Sequence, residues 1–118
     1  MAKEKQFYYW IPILLYGGVI FFFSSLPADS VPVLFAGSDK LFHFLEYFCF
    51  GLLLSFALQR TSNKYFNSLL VVFFMVLFFS LSDEIHQLFV PGRQFSYADI
   101  FFDILGGLTG GCLYRWRK

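Results

Sequence analysis

The chain of 118 residues is 58% hydrophobic and only 14% charged, with 19 phenylalanines and a net charge of +1. Soluble domains carry about 25% charged residues, and one this small has too little interior to hide so many aromatic rings. The composition argues against a soluble fold, and the lack of a basic stripe with interleaved aromatics argues against a nucleic-acid partner.

Four segments approach the ~20 apolar residues that a bilayer core requires. The first spans about residues 7–26 and ends at Pro27 and Asp29. Lys3 and Lys5 precede it as in a signal peptide, but its apolar run is too long for one and no small-residue cleavage site follows. It is expected to be a retained helix. The second spans about residues 41–58, before Arg60 and Lys64. The third, about residues 66–90, stops at Pro91-Gly92-Arg93, a tight-turn signal. The fourth, about residues 98–114, is the richest in glycine and runs into Arg115-Trp116-Arg117-Lys118. The expected fold is all-α: one domain over residues 1–118, an integral membrane bundle of about four transmembrane helices. Cys49 and Cys112 lie in apolar runs without motif spacing and read as core or lipid-facing thiols.

Lys and Arg counts orient the bundle. Lys3, Lys5, Arg60, Lys64, Arg115, Arg117 and Lys118 fall on one side, against Lys40 and Arg93 on the other. Both termini are therefore expected in the cytoplasm. The acids run the opposite way: Glu4 is inside, whereas Asp29, Asp39, Glu46, Asp83, Glu84, Asp99 and Asp103 belong to the outer side. A charge within an apolar helix costs at least ~2.5–3.5 kcal/mol on insertion scales, so these groups must be satisfied inside the bundle. That need points to a site.

Helical spacing shows how they meet. Lys40, His43 and Tyr47 share one face of the second helix, with Glu46 at its flank. In the third, Ser80, Asp83 and Gln87 share a face, with Glu84 and His86 beside it. In the fourth, Asp99, Asp103, Gly106 and Gly110 form one stripe. Structural roles compete with functional ones at several positions. Ser96-Tyr97-Ala98-Asp99 fits a capping box. Gly106 with Gly110, and Gly107 with Gly111, are small-xxx-small pairs suited to helix packing. Lys40 can snorkel to headgroups, and Arg93 can meet a lipid phosphate.

The stretch Ser82-Asp83-Glu84-Ile85-His86-Gln87-Leu88-Phe89-Val90-Pro91-Gly92-Arg93, followed by Ser96-Tyr97-Ala98-Asp99, resembles the VanZ-like membrane protein family. So do Asp39-Lys40-Leu41-Phe42-His43-Phe44-Leu45-Glu46-Tyr47-Phe48 with Gly51, and Ser24-Ser25-Leu26-Pro27. Asp103 with Gly106 fits the family's last helix, although Asn often stands where Asp103 does here. The resemblance covers nearly the whole chain. It implies a multi-pass protein of the bacterial cytoplasmic membrane, in a family named for teicoplanin resistance. It supplies no reaction.

Two functions follow as expectations. In the first, the protein acts on or binds an envelope lipid or lipid-linked precursor at the outer leaflet. Arg93 and Lys40 would hold a phosphate, Arg by bidentate contact. Glu84 or Asp83 would work with His86 or His43 as general acid and base. Gln87, Glu46, Tyr47, Asp99, Asp103 and Ser25 complete the binding candidates. In the second, it is a non-enzymatic interaction protein that alters antibiotic or partner access. A small transporter subunit, which would need an oligomer, is a further alternative. No nucleophile elbow, Walker loop or HExxH fixes a reaction type. The excess of outer acids leaves room for a divalent metal, Zn²⁺ or Mn²⁺, with His43, Glu84 and His86 as the ligands to consider.

Overall fold

The structure is a computed structural model that describes residues 6–27, 29, 33–61 and 69–116. Lys3, Lys5, Lys64, Arg117, Lys118 and the expected start of the third helix at residue 66 lie outside the described residues. Within them the chain is all helical, with no strand. Three helices are long and apolar enough to cross a membrane: Phe7–Ser24, Ser38–Thr61 and Leu69–Gln87.

The first helix opens as a 3-10 turn, Phe7–Trp10, and continues as α1, Ile11–Ser24. Pro12 sits in its first turn, where a missing N–H costs nothing. Ile13, Gly17, Ile20 and Ser24 recur at helical spacing and form its buried face. The helix ends two residues before the expected position 26. Leu26 N–H reaches back only three residues, to Phe23 O at 3.2 Å, and Pro27 drives the residue before it out of helical geometry.

Helix α2, Ser38–Thr61, starts three residues earlier and ends three later than the apolar run. Gly37, at φ +85°, reverses the chain ahead of it. Asp39 in the first turn complements the helix dipole. At the far end Thr61 Oγ1 accepts a hydrogen bond from Trp10 Nε1 at 3.2 Å, and Arg60 lies over the Tyr9 and Phe56 rings. Helix α3, Leu69–Gln87, stops before residue 90. Leu88, Phe89 and Val90 make three-residue hydrogen bonds to Ile85, His86 and Gln87. Gly92 at φ +76° then turns the chain into α4, Tyr97–Trp116.

Trp10 meets Thr61 at one end of the bundle, and Arg93 meets Leu26 at the other. The tightest contact is between α2 and α4, where Gly51, Gly106 and Gly110 bring backbone against backbone. A Cβ on any of the three would strike a carbonyl of the facing helix. Val72 and Val76 of α3, both fully buried, pack over Gly111 and Gly107 from the other side. Ile13, Ile20, Tyr47, Phe50, Leu54 and Leu58 fill the space between α1 and α2 and join these valines in one core. Outside, large apolar side chains stand exposed on every helix, among them Leu14, Leu45, Phe78 and Phe101. Cys49 and Cys112 are free thiols on this exposed surface. The bundle measures 47 Å along its longest axis, more than the ~30 Å of a hydrocarbon core.

Candidate functional site

The polar residues collect near the starts of α2 and α4, on the seam between these helices. Lys40 pairs with Asp99 and, at 3.0 Å, with Asp39. One turn further in, His43 Nδ1 lies 2.8 Å from Asp103 Oδ1. Ser80 Oγ of α3 donates to the other oxygen, Asp103 Oδ2, at 2.6 Å. Deeper still, Tyr47 OH donates to Asp83 Oδ2 at 3.3 Å. Asp83, Glu84 and Asp103 are at most 1% exposed. Each accepts a hydrogen bond from another segment, which offsets part of the several kcal/mol an unpaired buried charge costs, although Asp83 Oδ1 and Glu84 Oε1 have no partner.

An ionised carboxylate can only accept. Nδ1 of His43 therefore donates to Asp103, and in the neutral ring Nε2 is left bare. It faces Asp99, with Oδ2 at 3.6 Å. The close approach of α2 to α4 at the glycines sets this register, because Gly106 lies one turn beyond Asp103.

Ser96 caps α4: its Oγ accepts from Asp99 N–H at 3.2 Å. A closed capping box would return the Asp99 carboxylate to Ser96 N–H. Instead Asp99 is taken by Lys40, and Glu84 Oε2 of α3 accepts from Ser96 N–H at 3.2 Å. The second oxygen, Glu84 Oε1, is buried and has no hydrogen-bond partner. Among the described residues, ligand atoms of His43, Glu84 and Asp99 lie within 4.8 Å of one another.

Arg93 ties the turn after α3 to the end of α1. Its Nε donates to Leu26 O at 3.0 Å and one terminal nitrogen, Nη2, donates to Phe23 O at 3.2 Å. Leu26 lies past the end of α1, and Phe23 O shares its acceptor capacity with Leu26 N–H at 3.2 Å.

Beside the seam a cavity of about 510 Å³ opens between α1 and α2. Its polar lining includes His43, Glu46, Asp83, Gln87 and Arg93, and its apolar lining includes Tyr16, Phe23, Leu26, Phe42 and Leu45. Phe23, Leu45 and Cys49 on its wall are exposed, so the opening is lateral.

The family model described as VanZ/LLP1 matches residues 6–118. The chain belongs to the VanZ/LLP1 family. No curated protein and no solved structure matches it. Family and apolar helices together make this VanZ/LLP1 chain a membrane protein with transmembrane helices.

In this VanZ/LLP1 bundle most of the residues singled out by sequence converge. Lys40, His43, Tyr47, Asp83, Glu84, Asp99 and Asp103 join across α2, α3 and α4. Glu46, Gln87 and Arg93 line the cavity. Ser25 and His86 stand apart, 2.7 Å from each other. Ser25 Oγ donates its proton to Phe21 O, so it is the acceptor from His86 Nε2. The His86 ring packs edge-on to Phe21. Asp99, not His86, is therefore the group brought to His43 and Glu84. Sequence reasoning placed Ser80 on the right face without giving it a task, and it passed over Tyr16 and Ser24 as cavity lining. Ser80 could have been found from its spacing to Asp83. Ser24 stands in the Ser24-Ser25-Leu26-Pro27 motif, whereas Tyr16 carries no such signal.

Proposed function

We propose that this VanZ/LLP1 protein binds an envelope lipid or lipid-linked precursor in the cavity between α1 and α2. The observation that carries this reading is the cavity itself, polar at its inner wall, apolar at its rim and open sideways. Such a shape takes a headgroup inward and leaves acyl or prenyl chains in the bilayer. Asp39, Glu46 and Asp83 on its wall outnumber Arg93, whose Nε and Nη2 are already given to backbone carbonyls. Lys40 is likewise engaged by Asp39 and Asp99. The wall thus offers mainly acceptors, which suits a headgroup rich in hydroxyl or amine donors.

The bundle crosses the bacterial cytoplasmic membrane four times in this reading, with both termini inside and the cavity at the outer leaflet. The 20 residues of α4 span about 30 Å at 1.5 Å per residue. Tyr97 and Trp116, both exposed, stand at its two ends as interfacial aromatics do. Its acids Asp99 and Asp103 are covered by α2 and do not meet lipid.

Native mass spectrometry of protein extracted in mild detergent tests the reading. A co-purifying envelope lipid is expected, and Glu46→Gln and Asp83→Asn, which keep shape and remove charge, are expected to lose it. An unchanged lipid complement in both folded variants would refute the proposal.

A further inference from the structure

We infer that His43, Glu84 and Asp99 bind a divalent transition-metal cation of the Zn²⁺ or Mn²⁺ class. This inference does not rest on the lipid reading. One imidazole and two carboxylates come from α2, α3 and α4, and one atom from each lies within 4.8 Å of the others. Zn–N and Zn–O bonds of about 2.0–2.1 Å place tetrahedral ligands roughly 3.3 Å apart. His43 Nε2 and Asp99 Oδ2 are already at 3.6 Å, so closure asks little movement of them.

Two further observations point to a cation and not merely to an acidic cluster. Glu84 Oε1 is buried without a hydrogen-bond partner, in a residue with no exposed surface. An orphaned carboxylate oxygen there is costly, and a metal ion would satisfy it. The other is the support behind His43. A metal-binding histidine commonly gives its second ring N–H to a carboxylate, which fixes the tautomer and raises the basicity of the ligating nitrogen. Asp103 does this for Nδ1 at 2.8 Å, and Ser80 holds Asp103 in turn at 2.6 Å.

The charges point the same way. Glu84, Asp99, Asp103 and the half-exposed Asp39 face one fixed cation, Lys40, which takes one Asp99 oxygen. A divalent ion offsets most of this excess of negative charge. Three protein ligands leave the coordination open at one position, as in sites where a metal binds water or substrate. The competing arrangement has no metal and a protonated His43 bridging Asp99 and Asp103.

Elemental analysis of untagged, detergent-purified protein, before and after Zn²⁺ or Mn²⁺ loading and desalting, tests this. Near-stoichiometric metal is expected in the wild type, with at least a tenfold lower occupancy in His43→Ala and in Glu84→Gln. His86→Gln is expected to retain it. Because His43→Ala could unfold the bundle, thermal unfolding of the wild type supplies an independent reading: added Zn²⁺ or Mn²⁺ should raise Tm, and a chelator should reverse the rise. A wild type that holds no metal after loading and shows no metal-dependent Tm shift overturns the inference. So does metal retained by both His43→Ala and Glu84→Gln.

Discussion

Glu84 on α3 accepts the hydrogen bond of the Ser96 backbone N–H, 3.2 Å away, and so closes the cap of a helix it does not belong to. The start of α4 is thus fixed by two helices at once. Asp99, the local residue that would otherwise turn back on Ser96, is left free for Lys40 and His43.

Ser96→Ala should therefore weaken the bundle modestly. It removes only the Oγ acceptor for Asp99 N–H, a cap whose loss costs about 1 kcal/mol. Thermal unfolding in detergent should show a lowered Tm with the fold retained. An unchanged Tm would mean that the cap contributes nothing.

Gly106→Ala should be far more damaging than Gly18→Ala. A Cβ at Gly106 collides with the Phe44 carbonyl, which is backbone and cannot step aside, whereas nothing lies within 4 Å of one at Gly18. Overpacking of this kind costs about 1–3 kcal/mol, and it pushes Asp103 away from His43. Gly18→Ala should be neutral or slightly stabilising, since alanine is the better helix former. Equal stability of the two variants would show that α2 and α4 do not touch as described.

Arg93→Lys should loosen the end of α1. A lysine can reach one carbonyl as a point charge but cannot fork to both Leu26 and Phe23. The expected cost is about 1 kcal/mol, discounted for partial exposure. Hydrogen exchange at residues 21–26 should rise while that of α4 stays unchanged. Wild-type protection in α1 would remove this role from Arg93.

The proposed orientation is testable with one added thiol. In a chain lacking Cys49 and Cys112, Gln94→Cys lies in the exposed connection before α4. It should react with a membrane-impermeant reagent in intact cells, and a reporter fused after Lys118 should work only in the cytoplasm. The reverse labelling pattern would invert the bundle.

Much of this arrangement was legible in the residue pattern. Apolar runs and their breakers give the four helices, and a 3.6-residue period puts Lys40, His43 and Tyr47 in one line. The helix ends were less legible. Whether Ser38, Asp39 and Lys40 continue α2 depends on partners in other helices, such as Asp99, that no local propensity reports. His86 is instructive in another way. It lies two positions after Glu84, and residues so spaced on a helix do not face each other, so the spacing already spoke against a shared site. Its destination, the Ser25 hydroxyl, follows only from how α1 packs on α3. The spacing of the α4 glycines predicts packing devices, and Gly106 and Gly110 do lie against the α2 backbone; their effect on which carboxylate meets His43 emerges only with the helices docked.

The sideways mouth between α1 and α2 also governs how binding is to be measured. A guest entering there arrives by diffusion in two dimensions, so occupancy follows its mole fraction among the surrounding amphiphiles and not its aqueous molarity. Detergent competes for that quantity simply by being present. Doubling the micelle concentration at constant guest should roughly halve the apparent affinity, as surface dilution requires. In nanodiscs of fixed composition, adding more discs should leave occupancy governed by guest per disc. Titrations expressed per litre of buffer would hide both effects.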